Sequence, residues 1–282
     1  MKFKNPTAEI FVPDGMSTEA ALRRTTIMGI CAHQDDLEII ASSAILEAFQ
    51  NGKEWFCGVV LTDGRRSARS GPYEKVSDDE MQKLRKKEQK KAAVIGEYGS
   101  LALLDYPSDE VKKNRNQALS GELIQILERA NPKVVYTHNL ADKHETHVAT
   151  VLKTIEAIRL LPVKKRPKRL LGCEVWRSLD WLCDRDKVVL DSSAHENLKA
   201  ALLGVYDSQI TGGKRYDLAT IGRQRANATY HDPTGIDRST ALTFAIDLTP
   251  LIEDAKKEPS EFVKEKIDRF REEALLLLKS LS

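Results

Sequence analysis

Between residues 26 and 160, short apolar runs alternate with segments of helical period, and this alternation limits the fold more than any other feature of the chain. Residues 27–32 read as a short buried strand. Leu37, Ile40, Ala41, Ala44, Ile45, Ala48 and Phe49 then recur at three-and-four spacing, which predicts one helix closed by Asn51 and Gly52. Residues 56–62 form a second strand pattern, followed by a polar loop from Asp63 to Val76. Ser77 and Glu80 have capping-box spacing and open a charged helix to about Glu97. A third strand is expected at 101–104, a helix at 121–130 stopped by Asn131 and Pro132, and a fourth strand at 134–136. Val148, Val151, Leu152, Ile155 and Ile158 mark the helix after it. This order predicts a Rossmann-like α/β fold, a mainly parallel sheet with helices on both faces.

Beyond residue 170 the regularity fades. Strand candidates at 170–175, 188–190 and 242–248 are separated by a helix around 196–205 and an irregular stretch, and a long amphipathic helix starts near Ser260. No linker or repeat is visible, so a single domain over 1–282 is expected, with its core at about 26–160 and a C-terminal extension from about 170 to 282. A chain of this length buries a sizeable core. Lys and Arg number 44 against 42 Asp and Glu, which leaves no global field for nucleic acid or an anionic membrane. The basic run 164–169 reads as a solvated loop. No apolar run approaches the roughly 20 residues of a spanning helix, and residues 1–15 do not resemble a secretory signal. Cys31, Cys57, Cys173 and Cys183 lack the spacing of a disulfide framework or thiolate site. A cytoplasmic location is expected, with neither nucleic acid nor membrane as partner; a homo-oligomer is compatible with the composition.

Two clusters of potential ligands fall at equivalent places in this pattern. Ala32-His33-Gln34-Asp35-Asp36 follows the first strand, and Asp142-Lys143-His144-Glu145-Thr146-His147 follows the fourth. Ligands of open parallel sheets bind at the carboxyl ends of the strands, so both clusters should face one crevice. His33 and Asp36 are three apart across a strand-to-helix turn, and His144 and His147 share that spacing. Zinc takes imidazole nitrogen and carboxylate oxygen, and a catalytic site uses three protein ligands and keeps a place for water. More than three candidates are present, which leaves some free for acid–base work. Each residue alone also has an ordinary explanation: an acid at a helix start caps free N–H groups, and an isolated histidine is more often structural than a ligand. Their coincidence at two strand ends favours a metal site, while spacing alone leaves the reaction open.

In context these residues resemble the PIG-L/LmbE family of zinc-dependent N-deacetylases, whose motifs have the forms Ala-His-Pro-Asp-Asp-Glu and His-Pro-Asp-His. Here they read Ala32-His33-Gln34-Asp35-Asp36-Leu37-Glu38 and His144-Glu145-Thr146-His147. Thr62-Asp63-Gly64, Arg85 with Glu88, Ala92-Ala93, Asp105-Tyr106-Pro107 and Ser208-Gln209 are also family-like. The resemblance covers 26–160 well and 195–230 weakly. It implies an LmbE-like fold and zinc held by His33, Asp36 and His147, with Asp35 as general base for an activated water. It further implies that His144 polarises the substrate carbonyl or assists the leaving amine. The implied reaction removes an acetyl or other acyl group from the nitrogen of an N-acetylated amino sugar or its conjugate.

The sequence departs from the family pattern in three places. Gln34 replaces the motif's Pro, Glu38 falls one place later than its Glu, and Thr146 stands where the second motif has Asp. Asp142 is the carboxylate available to take that last place. Arg65 and Arg66 leave the second strand toward the expected crevice and suit an anionic group, although a solvated loop has the same composition. Arg65, Arg66 and Asp142 are therefore the candidate substrate-side residues. Gly212 to Tyr216 and Arg223 to Tyr230 are candidates to line or cover the site, and His138, His195 and His231 are expected to be structural or exposed. Two rival readings remain. One is a carbohydrate-binding protein that keeps the metal without turnover; the presence of Asp35 argues against it. The other is a phosphoester hydrolase, for which the single visible metal site is a poor match.

Overall fold

The computed structural model describes all 282 residues. In chain order its elements are β1 (Glu9–Phe11), α1 (Thr18–Arg23), β2 (Ile27–Cys31), α2 (Asp36–Ile40), α3 (Ser42–Ala48), β3 (Phe56–Thr62), α4 (Asp78–Ile95) and β4 (Ser100–Tyr106). They continue with α5 (Ser108–Lys112), α6 (Gln117–Ala130), β5 (Val134–His138), α7 (Glu145–Leu160), β6 (Arg169–Cys173) and β7 (Lys187–Asp191). The remainder is α8 (Glu196–Gly204), α9 (Asp207–Ile210), α10 (Tyr216–Tyr230), β8 (Leu242–Asp247), α11 (Thr249–Glu253) and α12 (Pro259–Leu281).

All eight strands form one sheet in the order β1-β4-β3-β2-β5-β6-β8-β7. The five central strands are parallel; β1 is antiparallel on one edge, and β8 is antiparallel to both β6 and β7 on the other side. The expected α/β class is therefore observed, and helices bury both faces. Alternate residues of β2 show how: Met28 and Ile30 enter one core with Leu123, Ile126 and Ile155, while Ile27 and Cys31 enter the other with Leu37, Ile45 and Val60. From β2 the chain builds outward through β3 and β4, then returns to lay β5 against the other side of β2. That reversal is the topological switch point, and the crevice of such sheets opens there, at the carboxyl ends of β2 and β5.

One local device lowers the first motif onto the sheet. Gly29 and Gly58 are direct partners in the β2–β3 register, and Leu37 of α2 lies across both. A Cβ on Gly29 would come within 2.6 Å of a Leu37 methyl, and one on Gly58 within 2.7 Å. The paired glycines thus make a notch that fixes the first turn of α2, and with it the loop that carries His33 to Asp36.

Several sequence expectations need correction. The single helix predicted over 37–49 is two, α2 and α3, broken at Ala41. The irregular C-terminal stretch contains α9 and the 15-residue α10, and β1, α1, α5 and α11 were not anticipated. The basic run includes a short 3-10 turn, Val163–Lys165, before β6 begins. No helix is long and apolar enough to cross a membrane.

Candidate metal centre and its surroundings

The two motifs meet. His33 and Asp36 arrive from the β2–α2 turn, and His147 from the first turn of α7, immediately beyond β5. His33 Nδ1 lies 3.2 Å from His147 Nε2 and 3.3 Å from Asp36 Oδ2, and His147 Nε2 lies 3.4 Å from the same oxygen. The three donors form a nearly equilateral triangle. Tetrahedral zinc with N and O ligands at about 2.0–2.1 Å has ligand-to-ligand edges of roughly 3.3–3.4 Å, so the donor set fits such an ion in both chemistry and size. His147 and Asp36 are buried, whereas His33 keeps a partly open edge toward the crevice.

A second layer fixes these donors. His147 Nδ1 lies 3.1 Å from Asp142 Oδ2, an arrangement that puts the ring proton on Nδ1 and leaves Nε2 free for a metal. The other oxygen of Asp142 accepts the His144 backbone N–H at 2.9 Å. Asp142 is thus fully engaged within the protein: its side chain orients His147, not His144, and has no lone oxygen turned to a substrate. His138 stacks on His147 with ring centres 3.9 Å apart, and its Nε2 accepts the Ala32 N–H at 2.9 Å. His138, Asp142 and His147 also cluster closely enough to suggest ligands. With Nε2 of His138 and both Asp142 oxygens taken, this group is better read as the support of the first site than as a second one.

Asp35 and Asp36 are adjacent but face different surroundings. Asp35 has φ 81°, a left-handed conformation that a non-glycine residue adopts at a cost of about 1–3 kcal/mol. The twist turns its carboxylate away from Asp36 to accept from Arg85 Nη2 at 2.8 Å, and it makes no capping bond to α2. Burial pushes the Asp35 carboxyl up to about 6, opposed by the Arg85 charge and reinforced by Asp36. Burial acts in the same direction on Asp36, but the His147, His138 and His33 rings packed around it outweigh burial and hold its carboxyl well below the usual range. Two neighbouring carboxyls driven apart in this way are suited to different tasks.

His144 caps α7, with Nδ1 accepting the Thr146 N–H at 3.3 Å. Its ring stacks on His147 at 4.6 Å and lies edge-on to His33 at 4.9 Å. Burial, followed by the charge of His33, lowers its pKa, so the ring is neutral near pH 7, with its proton on Nε2.

These groups line a cavity of about 330 Å³ whose walls include Arg66, Ser108, Trp176, Gln209 and Tyr216. A larger depression of about 770 Å³ beside β1 is walled mainly by the lysines of α4 and contains no histidine or acid pair, so it is not the reactive site.

Residues 28–158 match the family model described as PIG-L, GlcNAc-PI de-N-acetylase. The segment that carries both motifs is thus similar to the PIG-L family. No curated protein matches it in a whole-sequence search. Among solved structures it is similar to a conserved protein of Thermus thermophilus, with 19% identity and TM-score 0.63 over 83% of this chain and 99% of the other. It is also similar to the N,N'-diacetylchitobiose deacetylase of Pyrococcus horikoshii, at 17% identity and TM-score 0.59 over 78% and 83% of the two chains. A third neighbour is the 4-carboxy-2-hydroxymuconate hydratase of Pseudomonas putida, at 18% identity and TM-score 0.58 over 79% and 96%.

The arginine pair of the loop after β3 separates. Arg66 lines the cavity and pairs with Asp109 at 2.7 Å. Arg65 bonds Asp63 at 2.6 Å and Gln82 at 2.9 Å, and borders a different surface depression, so it does not face the site. His195 is exposed and His231 partly buried, as expected for structural or surface positions. His138 is buried and structural, as expected, but its place against His147 was not anticipated; the available signal was its position at the carboxyl end of β5, beside the end of β2. Trp176 was not anticipated as a wall of the cavity; its ring lies edge-to-face at 6.2 Å with Tyr216, which belongs to the 212–216 stretch expected to line the site.

Proposed function

We propose that the protein is a zinc-dependent N-deacetylase that removes an acetyl or related acyl group from the nitrogen of an N-acetylated amino sugar or its conjugate. The PIG-L match over residues 28–158 and the deacetylase among the structural neighbours support a deacetylase of substrates resembling N-acetylglucosamine. The observation that carries the metal part is the donor triangle of His33, Asp36 and His147, with edges of 3.2–3.4 Å. Bound there, zinc would supply a Lewis acid and bring the pKa of a coordinated water to about 7.

The roles of the side chains follow from their surroundings. Asp36, held ionised by the histidines, serves as ligand. Asp35, whose carboxyl is raised and whose position is fixed by Arg85, accepts the proton of the attacking water. Neutral His144 presents Nε2–H toward the cavity, where it donates to the carbonyl oxygen as negative charge develops on it. The proton on Asp35 then passes to the departing amine, whose C–N bond breaks as the carboxylic acid product forms.

Two assays test this reading. Metal analysis should find about one zinc per chain, lost together with activity in His33→Ala or Asp36→Asn. Amine release should be measured on a panel of N-acyl amino sugars comprising free sugars, glycoconjugates and nucleotide sugars. Fully zinc-loaded protein that releases amine from none of them would overturn the proposal.

A further inference from the structure

We propose that Gln89 and Glu38 form a buried relay that positions Asp35, holding its left-handed backbone so that the carboxylate points at the reacting water. The inference rests on the reading of Asp35 as general base, and adds the residues that keep it in place. Gln89 is fully buried in α4, and its Oε1 accepts the Asp35 backbone N–H at 3.2 Å. The amide's other end donates from Nε2 to Glu38 Oε1 at 2.8 Å. Glu38 is itself buried and also accepts from the hydroxyls of Tyr98 at 2.6 Å and Tyr206 at 2.7 Å. The members of this network come from four separate segments: the first motif with the start of α2, α4, the α4–β4 turn and the α8–α9 turn.

The direction of each bond is fixed by chemistry. The Asp35 N–H can only donate, so Gln89 must turn its oxygen there and its NH₂ toward Glu38. Glu38 therefore has to be an acceptor, and its three donors make it one. A left-handed conformation at a non-glycine residue persists only where the surroundings over-determine it. The side of Asp35 facing α4 provides this: Arg85 takes the carboxylate and Gln89, one turn further along, takes the N–H. Glu38 follows the first motif at a place where the family pattern offers no role, and the relay gives it one.

The test combines exchange and kinetics. Gln89→Met removes both bonds at nearly constant volume and adds no charge. The expected result is at least tenfold faster hydrogen–deuterium exchange at the Asp35 amide. Amine release from N-acetylglucosamine should show kcat down about 10- to 100-fold, with KM within about twofold and zinc content unchanged, since a small misplacement of a reacting group has that scale of effect. Gln89→Glu should behave in the same way, because it sets two carboxylates against each other. Adding Glu38→Gln to it should restore exchange protection and kcat, because the swapped pair reverses the bond between the two side chains. The new carboxylate at position 89 then accepts both the Asp35 N–H and the amide introduced at position 38, and the tyrosine hydroxyls can rotate to suit either end of that amide.

Unchanged Asp35 exchange and unchanged kcat in Gln89→Met, with only thermal stability lost, would overturn the relay. Should Gln89→Met fail to fold, the swap decides: a folded, active swap supports the proposal, and a swap that is inactive or unfolded overturns it. Asp35→Asn separates the two layers of inference. If that variant retains the parental rate the base assignment fails; if it loses activity while Gln89→Met does not, the relay alone fails.

Discussion

Replacing Asp142 by Asn tests whether the layer behind the metal donors matters as the geometry says. Asp142 accepts two hydrogen bonds, from His147 Nδ1 at 3.1 Å and from the His144 backbone at 2.9 Å, with a different oxygen for each. Asn offers a single carbonyl oxygen. Whichever bond it keeps, its NH₂ is directed at the other donor, so one contact is lost and a donor–donor clash replaces it. The negative charge that makes the His147 ring more basic is also lost. Changes of this kind behind a zinc-bound histidine cost about 10- to 100-fold in metal affinity, or roughly 1.4–2.7 kcal/mol. Competition against a zinc chelator at pH 7 reads the change directly, without reference to turnover. Glu145→Gln is the control: it removes an acid three residues away whose side chain is 84% exposed, and should leave affinity unchanged. Equal zinc affinity for parent and Asp142→Asn would refute the argument that Asp142 fixes the His147 tautomer.

Three further outcomes follow from the same structure. Asp35→Asn should keep zinc and lower kcat by about 100- to 10,000-fold, and it should also cost roughly 1.5–3 kcal/mol of stability in denaturant melts, because buried Arg85 loses a charged partner. Gly58→Ala should destabilise the fold by about 1–3 kcal/mol, since the new methyl meets Leu37 at 2.7 Å; a melting temperature equal to the parent's would count against the notch. Asp186 anchors α12 by accepting from Lys266 at 2.8 Å and Arg269 at 2.6 Å; burial opposes and these cations outweigh it to lower its pKa. A carboxyl with a lowered folded pKa contributes stability above its unfolded value and loses it as pH falls through the folded one. Amide exchange along α12 should therefore accelerate below about pH 4, and in Asp186→Ala at neutral pH.

How much of this was readable from the sequence depended on whether apolar periodicity carried the information. The parallel core was legible because β2 to β5 and α6 and α7 bury aliphatic residues at regular spacing, and the rule of strand ends then brought the two motifs together. α10 was not legible because the positions it buries are polar: Thr220 and Gln224, with Gln224 bonded to Ser42 and Lys199. β1 is three residues long, too short for alternation to register. The break between α2 and α3 falls inside an unbroken apolar pattern. Arg65 and Arg66 share one composition signal, and only the loop's path, set by the Arg65–Asp63 pair, separates them. Asp142 was noticed for its charge, but its partner depended on which ring lay 3.1 Å away.

The structural neighbours show why the side chains, and not the fold, must carry the functional argument. Similar sheets support proteins named as a hydratase and as a sugar deacetylase, so this architecture alone does not select a reaction. What it supplies is a switch point where two strand ends lie side by side. The chemistry comes from how one short loop is twisted there. With Asp35 in an ordinary helical conformation, its carboxylate would follow the helix start as a cap, as the sequence suggests; at φ 81° it is turned to Arg85 instead. In the mechanism proposed above, this one twisted residue is what lets two adjacent acids at a helix start take separate roles, metal ligand and base. On that proposal, whatever stabilises the twist matters to turnover as much as the proposed ligands do.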